Sequence, residues 1–291
     1  MNSIRVFFIG GYLAYRALFN WIHWSMYIPT MLGGPIFQIL FFAYVGRYAG
    51  SQSDKFFLVG NAVAICSLGG IFGMAMTIGG ERWTQTLSSI LVTPANRLAL
   101  FLGRALPNIA NGVFVSAVGF VVGSLLLGVS FPAGSIPVIA LIVIVSTVGF
   151  VVGSLLLGVS FPAGSIPAIA LIVVVSSFSC TAFGTLIGAF GLRGRDIFFF
   201  ANLMIFVFLL FCGVNVPLDA LPTWMQQVAS VLPLTHGIQA ARRVADGASL
   251  GDVSGLVLTE LLIGLCYAAI AYALLRLFEI DGRRRATFET M

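Results

Sequence analysis

Long apolar runs separated by short polar breaks organise this chain. Such runs cover about residues 25–45, 56–78, 166–190, 197–213 and 255–277, and another begins near residue 106. Most are near the ~20 apolar residues with which a helix crosses a bilayer, so the pattern predicts a bundle of membrane-length helices. Glycine and proline punctuate the runs. Pro29, Gly33, Gly34 and Pro35 predict a kink or broken helix in the first run. Gly69, Gly70 and Gly73 in the second, Gly119 and Gly123 (a GxxxG spacing) in the third, and Gly184 and Gly188 in the fourth provide small surfaces for close helix contact.

The polar break at residues 80–104, GERWTQTLSSILVTPANRLALFLGR, differs from the others. Over residues 81–92, Trp83, Leu87, Ile90 and Leu91 share one helical face while Arg82, Gln85, Ser88 and Ser89 point elsewhere, which predicts a short amphipathic helix. Thr93 is placed to cap a second helix opening at Pro94, where a missing N–H costs nothing. This island reads either as a solvated loop between spans or as a docking surface, since an amphipathic helix needs something to cover its apolar face.

Residues 118–147 are followed at once by a near copy, residues 148–177, differing only at Val138/Ala168, Ile144/Val174 and Thr147/Ser177. Thirty residues would make ~45 Å of continuous helix, more than a ~30 Å hydrocarbon core. One span of ~22 residues with SFPAGS as its turn fits the period better. A seventh span would reverse every later loop, and the basic residues test that. With six spans, Arg5, Arg16, Arg82, Arg97, Arg104, Arg193, Arg195, Arg276, Arg283, Arg284 and Arg285 share the island's side, eleven against four. With seven, the division becomes seven against eight and the bias is gone. The expectation is that the extra unit is accommodated as a re-entrant or displaced segment, leaving the C-terminal half on its original side.

Residues 215–252 mix prolines and charges with apolar stretches too short to span, so they should dip into the membrane interface. Arg242 and Asp246 are four apart and Arg243 and Asp246 three apart, a spacing that predicts a partly self-neutralised helical face. Glu260, inside the last run, reads either as a residue near the outer headgroups or as an ion-coupling acid facing the protein interior. At the other end of the chain, residues 1–24 carry Arg5, Arg16, Trp21, His23 and Trp24 and predict an interfacial helix, with no convincing secretory signal and a retained start. Arg283, Arg284 and Arg285 read as a stop-transfer cluster.

Composition agrees with the runs. Apolar residues are 59% of the 291, charged residues 9%, and mean hydropathy is +1.05, too little polarity for a water-facing surface of this size. The net charge of +5 lies in short segments between spans, so it bears on orientation and not on nucleic acid. Cys66, Cys180, Cys212 and Cys266 are scattered singly through apolar runs with no CxxC spacing, which disfavours a disulfide framework or metal site and reads as small core residues. No GxxxxGK[ST] is present, nor HExxH or a nucleophile elbow, so neither a P-loop nor a membrane-embedded hydrolase is expected.

Two stretches carry a family resemblance. Glu81-Arg82, Trp83, Thr86-Leu87, Leu91-Val92-Thr93-Pro94, Arg97 and Leu102-Gly103-Arg104 resemble the cytoplasmic stretch of ABC-2 type transporter permeases. Gly213, Pro217-Leu218, Leu221-Pro222, Trp224, Pro233-Leu234-Thr235-His236 and Arg242 resemble that family's extracytoplasmic segment. Gln85 and Leu232 depart from the usual Gly and Asn. The resemblance implies an all-α polytopic membrane protein forming a single permease domain over residues 1–291. It would have a six-span core, an N-terminal interfacial helix (1–24), a coupling region (80–104) and re-entrant helices before the last span (215–252), and the tandem units 118–147 and 148–177 would be additional. It further implies a cell-membrane protein with cytoplasmic N- and C-termini, a separate ATP-binding cassette subunit as partner, and a second permease chain as homo- or heterodimer. No cofactor or metal would be bound by this chain, ATP and Mg being held by the partner, and nucleic acid is no partner. The function implied is export of an amphipathic small molecule, a drug or antibiotic, as in multidrug efflux. Export of a lipid-linked glycan or another lipid is the alternative within the family, and a partner-independent channel or secondary transporter is the alternative outside it.

Overall fold

The structure, a computed structural model, describes residues 3–21, 33–83, 97–127, 165–191 and 196–285. Among these residues there is no strand, and the elements are helices in the order α1 (Ser3–Trp21), α2 (Gly34–Ala49), α3 (Asp54–Ser67), a π-helical turn (Leu68–Gly73), α4 (Met74–Trp83), α5 (Arg97–Leu127), α6 (Ser165–Gly191), α7 (Ile197–Phe211), a 3-10 turn (Leu218–Ala220), α8 (Thr223–Val231), α9 (Thr235–Ala245) and α10 (Leu250–Arg285).

Local chemistry sets many of the ends. Pro35 occupies the first turn of α2, where its lack of an N–H is harmless. At the other end Gly50 takes the left-handed conformation (φ +61°) and donates its N–H to the Arg47 carbonyl. The turn that follows is closed by Arg47 Nε, 2.9 Å from both carboxylate oxygens of Asp54. Of the residues expected to kink or break the first run, Pro29 lies outside the described residues, and Gly33, Gly34 and Pro35 stand at the start of α2.

α3, the π turn and α4 run on from Asp54 to Trp83, a longer helix than the 56–78 stretch read from hydropathy. The π turn coincides with the glycines expected to allow close contact. A Cβ on Gly69 would lie 2.9 Å from the Gly112 Cα of α5, and one on Gly70 would lie 2.9 Å from Cys180 Cβ of α6. Gly184 of α6 in turn backs on the Gly70 carbonyl, and Gly188 on Ile78. Three helices therefore meet almost backbone to backbone, as small-residue packing in membranes predicts.

These contacts fix the register. α5 runs antiparallel to α3–α4: Gly119 meets Ile65 and Ala62, Ser116 Oγ donates to the Ala62 carbonyl, Gly112 lies on Cys66, and Asn108 lies on Gly73 and Thr77. α6 is parallel to α3–α4 and antiparallel to α5, since Cys180 meets Gly70, Gly188 meets Ile78 and Ser177 faces Gly112. α10 follows α6 in parallel, with Gly264 on Ser179, Tyr267 on Phe183 and Phe278 on Phe190. One end of the bundle thus gathers the end of α4, the start of α5, the end of α6 and the C-terminal part of α10. We call it the island end. α1 also lies there, with the Phe7 carbonyl against Gly103, burying Val6 and exposing Phe8, Tyr12 and Leu13. The far end gathers the end of α2, the start of α3, the end of α5 and residues 212–250.

α5 ends at Leu127 inside the first repeat copy and α6 starts at Ser165 inside the second. Both junctions are at the far end, and the rest of the repeat lies outside the described residues. The C-terminal part of α10, with Arg276, lies at the island end of the bundle, beside the end of α6.

Three helical stretches among the described residues are long and apolar enough to cross a membrane: Asp54–Gly79, Pro167–Gly191 and Leu250–Phe278. α7 has 15 residues, ~22 Å of helix, less than a ~30 Å hydrocarbon core. Of the four cysteines read as core residues, Cys66, Cys180 and Cys212 are buried but Cys266 is exposed on α10. An apolar run has no one-sided periodicity from which to assign faces, which is why that position was misplaced.

Candidate functional site

At the island end, Glu81, Arg82 and Trp83 form the last residues of α4, and Arg97 opens α5. Thr86, Leu87, Leu91, Thr93 and Pro94 lie outside the described residues. The helices flanking the island are joined by a polar clasp about one turn from it. Asn108 Nδ2 of α5 donates to Thr77 Oγ1 (3.3 Å) and to the Arg104 carbonyl (3.0 Å), and lies 3.7 Å from Met74 Sδ. Thr77 passes the link on, donating to the Gly73 carbonyl in the π turn (2.7 Å). These bonds link the flanks of the island to the π turn at the three-helix glycine crossing. Asn108 was not singled out in the sequence, where an Asn in an apolar run is the only signal of it.

At the far end, the prolines of residues 215–252 mark turns. Pro217 precedes the 3-10 turn and Pro222 precedes α8, both with extended ψ, and each offers its carbonyl to the helix that follows. Trp224 is exposed and stands edge-on to Phe211, 5.9 Å between ring centres. The Pro233 carbonyl accepts the Cys212 thiol at 3.5 Å. Next comes Leu234, buried and with φ +84°, a left-handed conformation that costs a non-glycine residue about 1–3 kcal/mol and persists only when its surroundings hold it.

Glu260 holds it. The first turn of α9 has no side-chain cap of its own. Instead the carboxylate of Glu260, projecting from α10, accepts the N–H of Leu234 (2.7 Å) and of Gly237 (3.2 Å), while Ser179 Oγ of α6 donates to the same carboxylate. An acid at a helix N-terminus satisfies the orphan N–H groups and meets the positive end of the dipole. Glu260 is 0% exposed. It therefore faces the protein interior, where the groups bonded to it are all donors. Gly237 is needed beside it, because a Cβ there would overlap Ser176 Oγ. Ser176 Oγ and Thr235 Oγ1, both buried, have no hydrogen-bond partner.

His236, in the first turn of α9, is half-buried, and burial pushes its imidazole below the ordinary value of 6.5. Its Nδ1 is buried without a partner.

Arg242 occupies the other end of α9. Nη1 donates to the Gly213 carbonyl (2.6 Å), Nη2 to Val214 (2.7 Å) and Phe56 (3.3 Å), and the guanidinium lies over the Phe56 ring at 3.4 Å. Burial pushes its pKa down to about 9, with Asp246 opposing, so the cation persists at neutral pH. The direct bond of Asp246 is to Lys55 at the start of α3 (2.8 Å), while Arg242 turns inward to carbonyls, so what remains of the expected partial neutralisation is the electrostatic support Asp246 gives the cation. Nearby, Asn61 of α3 joins Gln38 of α2 (3.1 Å) to Asn215 (2.8 Å).

A family model described as ABC-2 family transporter protein matches residues 44–277, a span that contains both polar ends. No curated protein and no solved structure matches the chain.

Proposed function

Because the chain belongs to the ABC-2 family of transporter proteins, we propose that it works as the membrane-spanning half of an ATP-driven exporter that moves an amphipathic small molecule, a drug or antibiotic, outward. A membrane permease subunit of an ABC transporter is the family's role. The match over residues 44–277 is the observation that carries the reading. The finer parts rest on the geometry of the two ends. In this reading the island end is cytoplasmic and residues 81–92, with Thr93, Pro94 and Arg97, seat in a separate ATP-binding cassette subunit, which holds ATP and Mg. The far end is extracytoplasmic, residues 215–252 form its re-entrant cover, and six spans make the core, with both termini at the cytoplasmic face of the cell membrane.

A second permease chain completes the path. α2 leaves Phe37, Phe41, Tyr44 and Tyr48 exposed at i, i+4, i+7 and i+11, an aromatic stripe along one face. We assign that stripe to the surface that two chains enclose. The same stripe favours a second reading, export of a lipid-linked glycan, because aromatic faces stack on sugar rings.

Copurification from the native membrane tests the class: an ATPase should accompany the chain. In the reconstituted complex, Leu87→Asp or Arg82→Glu should leave hydrolysis running while export falls at least tenfold, as expected from losing one buried contact of ~1.4 kcal/mol or more. Undiminished export in both variants refutes the island as the coupling element. A C-terminal label found outside the cell refutes the six-span orientation.

A further inference from the structure

The four cysteines are free thiols, and their spacing along the chain has no metal-binding pattern. The fold nevertheless brings two of them together from different helices. Cys66 of α3 and Cys180 of α6 are both 0% exposed. Their helices run parallel at the glycine crossing. A Cβ on Gly70 would lie 2.9 Å from Cys180 Cβ, so Cys180 stands level with Gly70, one turn beyond Cys66. Side chains on a helix lean toward its N-terminus, which carries the Cys180 thiol back from Gly70 toward the level of Cys66. Gly112 of α5 marks that level, since a Cβ there would meet the Cys66 carbonyl oxygen at 3.0 Å and Ser177 Oγ of α6 at 3.3 Å. The two thiols close the remaining gap by hydrogen-bonding to one another. Glycine at 70 permits this, because a methyl there would push Cys180 and its helix away.

Two adjacent thiols in an apolar interior can do what a scattered cysteine cannot. Sulfur selects soft ions, and these two sulfurs lack the further ligands that zinc needs: among the described residues no group of three or more His, Cys, Asp or Glu could hold a metal ion. That leaves an ion which two ligands satisfy. Charge then chooses among such ions. A monovalent ion such as Cu(I) on two thiolates carries a net negative charge, which would be buried beside the Glu260 side chain that already acts electrostatically on Cys180. A mercuric ion on two thiolates is neutral, so no uncompensated charge enters the interior.

We propose that Cys66 and Cys180 form a two-coordinate dithiol site for a soft divalent ion, Hg(II), and that the bound ion staples α3 to α6 at the glycine crossing. With neutral mercuric chloride, two S–H and two Hg–Cl bonds break and two Hg–S bonds form. Two protons and two chloride ions leave, and nothing is oxidised or reduced. Mercuric chloride is small and uncharged, so it enters an apolar interior that charged thiol reagents do not. The site depends only on the packing of two helices and stands apart from the permease reading. Its strength comes from preorganisation. In the unfolded chain the two thiols are the ends of a loop on the order of 100 residues, whose closure is costly. In the fold the second thiol is already in place, so the ion should be held at least ~100-fold more tightly than by one thiol alone.

Mass spectrometry of the full chain in detergent decides it. On a Cys266→Ser background, which removes the exposed thiol, the reduced chain is treated with one equivalent of mercuric chloride and dialysed against a monothiol. It should keep one mercury, with a mass gain of one mercury less two hydrogens. Acid digestion should then yield an adduct joining the peptide of residue 66 to that of residue 180. Cys66→Ala and Cys180→Ala should each retain at least ~100-fold less metal, while Cys212→Ala retains as much as its parent. Mercury should raise the melting temperature only where both Cys66 and Cys180 are present. If an alanine variant fails to fold, the bridged peptides from the parent chain still decide. Mercury held equally well by Cys180→Ala, or peptides that join residue 180 to residue 212, overturn the pair. A folded chain that takes up no mercury, while the same chain binds it once denatured, overturns the site.

Discussion

Replacing Glu260 with Leu isolates the cap on α9, because the volume is nearly kept and only the acceptor is lost. In the native fold two backbone N–H groups, of Leu234 and Gly237, are satisfied by this carboxylate, and neither has water as an alternative. Each orphaned buried donor costs about 1–3 kcal/mol, so the loss is ~2–6 kcal/mol. Ser179 adds little, since its hydroxyl also lies 3.2 Å from the Ser176 carbonyl and can stay bonded there. Against this, the variant no longer keeps a carboxylate out of water, a desolvation cost of several kcal/mol that the three donors only partly offset. The net should fall in the lower half of the range, ~3 kcal/mol, and should be confined to α9 because α10 itself keeps its backbone bonds. Amide hydrogen exchange of the detergent-solubilised chain reads this directly. A 3 kcal/mol loss raises local opening about a hundredfold, so peptides covering residues 233–245 should exchange that much faster, while α6 peptides change little. Glu260→Gln should give a smaller acceleration, about tenfold, because the amide oxygen still accepts one N–H while its NH2 faces the other donors. Exchange in residues 233–245 unchanged within about threefold in Glu260→Leu would refute the cap as what holds α9.

Two further outcomes follow from the same corner. Gly237→Ala should cost about 1–3 kcal/mol through overlap with Ser176 Oγ, and Ser176→Ala should recover most of that, since it removes the overlapping atom and a hydroxyl that has no partner; thermal unfolding of the single and double variants checks the coupling. For His236, burial lowers the folded pKa below 6.5, so the unfolded state binds more protons as pH falls through 6.5; stability should be fully present above that value and decline below it, and His236→Gln should flatten the decline in a melting series from pH 7.5 to 5.5.

Much of the bundle was legible in the chain. Runs of membrane length, the glycines at 69, 70, 73 and 184, and the sided arginines each carry information locally, because a span must satisfy its own backbone and a loop's charge resists crossing. The proline-marked turns at Pro217 and Pro222 were legible for the same reason. Less was readable in the far-end chemistry. Arg242 and Asp246 had the spacing of a helical pair, yet each found a better partner on α3 or at the end of α7 than on its own helix. Cys266 could not be assigned a face, because α10 is apolar all round.

What the sequence determined by itself was the solvent: 59% apolar residues in membrane-length runs leave no alternative to spanning helices, and the island at 80–104 follows as a polar break between them. The antiparallel register that returns the C-terminal part of α10 to the island's end, and the pairing of Glu260 with a helix start 23 to 26 residues before it, were decided only by tertiary structure. The physical reason is that helix-internal bonds depend on neighbours in sequence, whereas a cap supplied from another helix and a cation held by foreign carbonyls depend on which helices lie side by side. Those neighbours are chosen by close glycine packing at Gly69, Gly70 and Gly112, far along the chain from the groups they bring together.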